Sequence, residues 1–221
     1  MVLFDASLKR LVIPEKTGIL KTSRKRAALI KWAVRNDFGA IVLPFGYPGF
    51  IADEITSAGL NAEAGGWTIS VMVPRKLFFF HRDLFRMDSG KRKRKIHFCP
   101  TNPGTIETIK SETRKLAKSA SRINVFHLWP ERGNESAWCS CPACRAFSPA
   151  EQNRIAVNAA ADALAEENAS AVVTWYEDSP EIFSADLNLT GNSEIKMRPN
   201  VFKIDPEKLT LFEESKFRFQ Q

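Results

Sequence analysis

Two hydrophobic periods alternate along this chain, and their alternation defines its elements. The clearest case begins at Ile123-Asn124-Val125-Phe126-His127-Leu128-Trp129, a near-continuous apolar run ended by Pro130-Glu131, which reads as a strand buried on both faces. A polar loop follows. Ser148-Pro149-Ala150-Glu151 then supplies a serine cap, a proline at the first helical position and a glutamate three residues on. Ile155, Ala156, Ala159, Ala160, Ala163 and Leu164 continue it as one stripe at helical spacing. Ala171-Val172-Val173-Thr174-Trp175, ending in Tyr176-Glu177, is a second strand. Strand, loop, helix, strand is a βαβ unit, and parallel folds of this kind build sites on the loop after the strand.

The rest of the chain repeats the alternation less sharply. Residues 3–20 form an extended lead-in broken by Pro14 and Gly18. Ser23 is expected to cap a helix carrying Ala27, Ile30, Ala33 and Val34, with Trp32 as a core residue, ending near Asn36. Residues 38–45 form a strand, and a helix over 49–58 stops at Gly59. Leu60 to Gly66 is the next strand, closed by a glycine pair where backbone must turn or approach closely. Thr68 to Val73 is β-rich, Lys76 to Arg86 is an aromatic loop with a short helix, and Lys95 to Pro100 is a further short strand. Asn102-Pro103 caps a helix whose buried side is Ile106, Ile109, Leu116 and Ala117. Residues 178–199 read as loop, 200–204 as the last strand and 208–219 as a tail.

Five or six strands alternating with about four helices imply a parallel sheet. A complete (β/α)8 barrel takes about 250 residues, so the expected fold is an α/β, TIM-type (β/α) barrel that is incomplete. The alternative is an open doubly wound sheet. The expected organisation is one domain over 1–221, with 1–22 as lead-in and 206–221 as tail. Exposed first and last strands would be pairing hazards. They predict a homo-oligomer covering those edges, or a C-terminal segment folded over them.

Composition changes this picture little. The chain of 221 residues is 44% hydrophobic and 26% charged, like ordinary globular proteins. It has no apolar run of the roughly 20 residues that a bilayer demands. Its first residues lack the basic and apolar regions of a secretory signal, so the expected location is cytoplasmic. Charge is more informative, because the net +7 is uneven. The first 100 residues hold 18 Lys and Arg against 8 Asp and Glu, and the remainder 14 against 17. Arg24-Lys25-Arg26 and the run from Lys91 to Lys95 carry much of the excess. With Ser89-Gly90 directly before it, the run reads as a solvated turn between extended segments rather than a nucleic-acid site.

Cys99, Cys139, Cys141 and Cys144 are too few for a disulfide framework, and three of them crowd into six residues. Thiolates at that spacing can wrap one tetrahedral ion, with Cys99 as the fourth ligand. A structural zinc is therefore expected, with reduced thiols or a Cys99 disulfide as alternatives.

The segments Gly59 to Trp67, His97-Phe98-Cys99-Pro100-Thr101-Asn102-Pro103 and Trp138-Cys139-Ser140-Cys141-Pro142-Ala143-Cys144-Arg145 resemble a bacterial family of uncharacterised glycoside-hydrolase-like barrels. It is known as domain of unknown function 4838, and the resemblance covers roughly residues 23–205. It implies a TIM-type barrel distantly similar to family-20 hexosaminidases and α-glucuronidases, with a carbohydrate site at the strand ends. This chain has Trp67 where that family usually has histidine. It has Pro130-Glu131 where family-20 relatives carry Asp-Glu, so the aspartate that steers a substrate acetamido group is absent.

Cleaving a glycosidic bond takes two carboxyl groups, a proton donor and a nucleophile or base. Glu131 and Glu177 each follow an apolar strand at its C-terminal end and are the candidates, with Asp178 a weaker substitute. Sugar rings stack their C–H faces on aromatic rings. Trp67, Trp129, Trp138 and Trp175 lie at strand ends, where either such stacking or ordinary packing explains them. His127 lies inside its strand and would meet substrate or serve as a satisfied core histidine. Two functions follow: a carbohydrate-active glycosidase, or a catalytically inactive barrel that binds sugar or serves in assembly.

Overall fold

The computed structural model describes residues 8, 10–13, 20–47, 49–66, 69–129, 137–175, 195–196 and 201–203. Strands β1 (Arg10–Val12), β2 (Ala40–Leu43) and β3 (Asn61–Gly66) alternate with helices α1 (Ser23–Arg35) and α2 (Gly49–Ser57). A small hairpin, β4 (Met87–Asp88) and β5 (Lys91–Arg92), precedes α3 (Pro103–Ser119). Then come β6 (Val125–Leu128), α4 (Pro149–Glu167), β7 (Val172–Trp175), β8 (Ile195–Lys196) and β9 (Val201–Lys203).

Seven strands form one sheet in the order β8-β7-β6-β3-β2-β1-β9, and every pairing in it is parallel. Setting the hairpin aside, each strand from β1 to β8 lies beside the next in sequence. From β1 to β8 the strands add in one direction, without the switch point of a doubly wound sheet. The last strand returns to pair with the first, which is the topology of a barrel. The order is compatible with an incomplete barrel, and β9 covers the outer edge of β1.

Side chains alternate across these strands as a barrel requires. Leu11, Ile13, Ile41, Leu43, Phe126 and Leu128 pack in the core shared with the helices. Val12, Val42 and Trp129 form a separate apolar cluster on the opposite, interior face. The helices begin where capping chemistry starts them. On α4 the Ser148 hydroxyl accepts from the Glu151 N–H while the Glu151 carboxylate accepts from the Ser148 N–H, the reciprocal box foreseen. On α3 the Asn102 side chain accepts from the Gly104 N–H. Gly59, at φ +81°, ends α2.

Several expectations need correction. Thr22, not Ser23, caps α1, its hydroxyl accepting from the Lys25 N–H. Trp32 is half-buried and packs its ring on Phe38 at 5.5 Å. The lead-in contributes a true strand, β1. Residues 69–72 form a 3-10 turn rather than a strand. Residues 95–100 form no sheet strand either, keeping only an isolated antiparallel bridge between Phe98 and Phe85. The Arg75 guanidinium donates to the carbonyls of Arg94, Ile96 and His97, which fastens this stretch outside the sheet. The tail over 206–221 lies outside the described residues.

Candidate functional site

Two polar constellations stand out, one inside the barrel and one on its loops. The interior one joins four strands. Arg10 on β1 donates from Nε to Glu63 Oε2 at 2.7 Å and from Nη2 to Oε1 at 3.1 Å, a two-pronged ion pair with β3. Glu63 Oε2 also lies 2.7 Å from His127 Nε2 on β6. His127 Nδ1 lies 2.5 Å from the Thr174 hydroxyl on β7, which accepts the indole N–H of Trp129 at 3.1 Å. Arg10, His127 and Thr174 are wholly buried.

Electrostatics fix the proton positions. Burial pushes the Glu63 carboxyl up, but the hydrogen bond from His127 and the ion pair with Arg10 outweigh it and hold the group below its ordinary value. His127 is driven down, first by burial, so the imidazole is neutral. With Glu63 ionised, His127 carries its proton on Nε2 and donates it to the carboxylate. Nδ1 then accepts from the Thr174 O–H, and every group in the chain is satisfied. The arrangement leaves no net buried charge beyond one well-made pair.

Close backbone packing keeps β3 against β6 here. Gly65 has φ +108°, and a Cβ there would lie 2.1 Å from the carbonyl oxygen of His127. Only glycine fits, which accounts for half of the glycine pair.

The second constellation joins two loops that leave adjacent parallel strands, β3 and β6. Cys99, in the long connection from β3 to α3, meets Cys139, Cys141 and Cys144, in the connection from β6 to α4. Their sulfurs all lie within 4.8 Å of one another and all four residues are buried. Cys99 Sγ is 3.6 Å from both Cys141 Sγ and Cys144 Sγ. A tetrahedron with metal–sulfur bonds of about 2.3 Å has edges of about 3.8 Å, so the spacing fits a four-thiolate ion. It does not fit a disulfide, whose sulfurs lie about 2.05 Å apart.

Donors surround the sulfurs, as negative ligands require. The Met87 N–H points at Cys139 Sγ at 3.2 Å, Arg92 Nη1 lies 3.9 Å from it, and the Thr101 hydroxyl lies 3.1 Å from Cys144 Sγ. Hydrogen bonding from Cys139 first, then from Thr101, Arg92 and Cys141, holds the Cys99 thiol down at about 4. The same bond to Cys99, with burial, pushes Cys139 up, and burial pushes Cys144 up to about 11.

Gln152, in the first turns of α4, holds the cysteine loop. Its Oε1 accepts from the Cys139 N–H at 3.0 Å, and its Nε2 donates to the carbonyls of Cys139, Cys144 and Phe147. Met87 in turn ties the β4–β5 hairpin to this loop, since the Ser140 N–H and hydroxyl both donate to its carbonyl. The cluster is therefore a clasp between the two loops.

The expected site residues divide sharply. The four cysteines converge. His127 is a satisfied interior histidine. Trp129 is buried on the inner face, and Trp138 is buried with its ring stacked on His97 at 4.1 Å and edge-on to Phe98. Neither indole offers an exposed face for a sugar. Trp175 is the last residue of β7. Trp67, Glu131, Glu177 and Asp178 lie outside the described residues, as does Pro130. Sequence reasoning missed Arg10, Glu63, Thr174 and Gln152. Of these only Glu63 left a signal, a lone charge in an otherwise small and apolar strand.

A parallel sheet with its loops gathered at the strand C-termini is the architecture of an incomplete (β/α) barrel. Solved structures bear this out. A β-galactosidase from Bacillus circulans sp. alkalophilus matches with a TM-score of 0.55 at 12% identity, over 77% of this chain and 36% of that one. An α-galactosidase from Lactobacillus brevis matches with a TM-score of 0.52 at 11% identity, over 77% and 27%. A family GH36 α-galactosidase from Geobacillus stearothermophilus matches with a TM-score of 0.51 at 13% identity, over 78% and 28%. The chain thus spans between 27% and 36% of the length of these enzymes, and identities this low establish the fold alone. No protein-family model matches the chain, and no curated protein matches it in sequence.

Proposed function

We propose that this chain is a carbohydrate-active, glycoside-hydrolase-like barrel that takes a poly- or oligosaccharide across the C-terminal ends of its strands. Glu131 and Glu177 are its acid and its nucleophile or base, and Trp67, Trp175 and Asp178 belong to the same cleft. One observation carries the reading. Strands β6 and β7 are hydrogen-bonded parallel neighbours, and in the sequence Glu131 and Glu177 come shortly after their last residues, Leu128 and Trp175. Adjacent strands lie about 4.8 Å apart, the scale on which two carboxyl groups can work on one bond. The motifs that resemble the uncharacterised barrel family support it as well.

The four-cysteine cluster is read as a structural zinc site, held by Cys99, Cys139, Cys141 and Cys144. When bound, the ion supplies positive charge and cross-linking, because a closed set of four thiolates leaves no position for substrate. Its effect is to shape the loops around the cleft.

A second reading, an inactive barrel that binds sugar, is favoured by Pro130 standing where family-20 relatives place an aspartate. A panel of aryl glycosides and a glycan array separate the two. Turnover abolished by Glu131→Gln with binding retained supports the enzyme. Binding without turnover, unchanged by Glu131→Gln, leaves only the sugar-binding unit.

A further inference from the structure

The connection from β3 to α3 carries a surface that the barrel does not use. Residues 76–95 hold eight Lys and Arg against two Asp, nearly the entire excess charge of a chain with net +7. Phe79 and Phe80 stand at the tip of the same segment, 63% and 84% exposed, the latter the most exposed large apolar side chain among the described residues. Exposed neighbouring phenylalanines are a liability unless something covers them. The fold brings the two features together. The Arg94 guanidinium lies over the Phe79 ring at 4.8 Å, and Lys91, Lys93 and Lys95 are exposed alongside it.

This surface is built rather than loose. Ser89 and Gly90, both at positive φ, make the tight hairpin turn that presents the run. Arg75 ties the base of the aromatic tip to the carbonyls of Arg94, Ile96 and His97. Phe85 and Phe98 lie beneath, fully buried. The hairpin is fastened to the cysteine clasp through Met87 and Arg92. Because the segment leaves the C-terminal end of β3, it belongs to the strand-end loops, on the side of the barrel where the β6 and β7 loops begin.

We infer that this aromatic and basic lobe binds an acidic glycan, one bearing carboxylate or sulfate groups. Phe80 supplies a stacking face for a sugar ring, and Lys91, Lys93, Arg94 and Lys95 pair with its anionic groups. Charge complementarity selects a polyanion. The position among the strand-end loops of a glycosidase-type barrel selects a glycan over nucleic acid or an anionic membrane. The inference rests on the proposed carbohydrate function and specifies its substrate class.

The test is titration of the full chain with oligogalacturonate, with neutral galacto-oligosaccharide of equal length, with a single-stranded oligonucleotide of equal charge, and with phosphatidylserine vesicles. Wild type is compared with Phe80→Ala and Arg94→Glu, both exposed positions, with circular dichroism confirming the fold. The expected result is preference for the oligogalacturonate, weakened at least about fivefold by Phe80→Ala and by Arg94→Glu, and weakened by salt. Tighter binding of the oligonucleotide or vesicles overturns the inference, as does polyanion binding indifferent to Phe80, or no binding in low salt. If only the neutral oligosaccharide binds, this inference falls and the proposed function stands. If oligogalacturonate binds through Phe80 but no glycoside is turned over, the inference stands and the enzymatic reading falls.

Discussion

The interior network and the cysteine clasp are both buried, polar and assembled from residues far apart in sequence, yet they are completed differently. In the network, Arg10, Glu63, His127, Thr174 and Trp129 satisfy one another, and the single positive charge meets a single negative one. Nothing external is called for. In the clasp, four sulfurs approach one another with donors around them, an arrangement that suits a cation at their centre. The first group sits on strands, where the hydrogen-bonded ladder fixes position. The second sits on loops, which need a cross-link to hold a defined shape. A barrel can thus stiffen its interior with side chains alone, while its loop rim calls for a further fastening.

Breaking the network should show the largest effect. Glu63→Ala strands the Arg10 guanidinium without its partner and should cost about 3–5 kcal/mol, read from denaturant unfolding. A cost below about 1 kcal/mol, the range of exposed pairs, would mean the pair is solvated. Thr174→Val removes the partner of both His127 and Trp129 and should cost about 1–3 kcal/mol. On the loop side, Gln152→Ala leaves three carbonyls and one N–H of the clasp without their partner. It is expected to cost a similar amount and, unlike Thr174→Val, to weaken metal affinity about 10- to 100-fold. Competition with a chromophoric chelator separates the two variants. Ser148→Ala removes the α4 cap alone and should cost about 1 kcal/mol with metal content unchanged.

Acid sharpens the same contrast. His127 and Glu63 both titrate lower in the folded protein than their ordinary values of 6.5 and 4.5. The unfolded chain therefore binds protons first, and stability present above about pH 6.5 declines as pH falls through that value and again below 4.5. The slope from either group cannot exceed about 1.4 kcal/mol per pH unit. Replacing His127 with Gln should flatten the upper part of the decline; an unchanged curve would assign it to other groups.

How much of this was legible in the sequence depended on periodicity and spacing. The α4 helix announced itself through Ser148, Pro149 and Glu151, and β2, β3, β6 and β7 through apolar runs. The cysteines were readable as a group because ligand spacing is a local property, although Cys99 was expected to close a strand and sits in a loop instead. The convergence survived because β3 and β6 are adjacent. Residues 95–100 looked like a strand from their apolar content, which reports only fit to a half-buried surface; in the fold they keep only the bridge from Phe98 to Phe85. Strand β1 has three residues and β8 two, too short for any period to register. Arg10, Thr174 and Gln152 become partners only through the topology. The aromatic tip at Phe79 and Phe80 was visible, but its meeting with Arg94 depended on a hairpin that pattern alone did not pair.

A metal at the centre of Cys99, Cys139, Cys141 and Cys144 would complete the clasp. Elemental analysis of protein prepared without chelator, with thiol titration on the same sample, tests it most directly. The prediction is close to one zinc per chain, with the four thiols unreactive until a chelator removes the ion and lowers the melting temperature. Less than about half an equivalent of zinc, with all four thiols titratable from the start and a melting temperature unmoved by chelator, would contradict it.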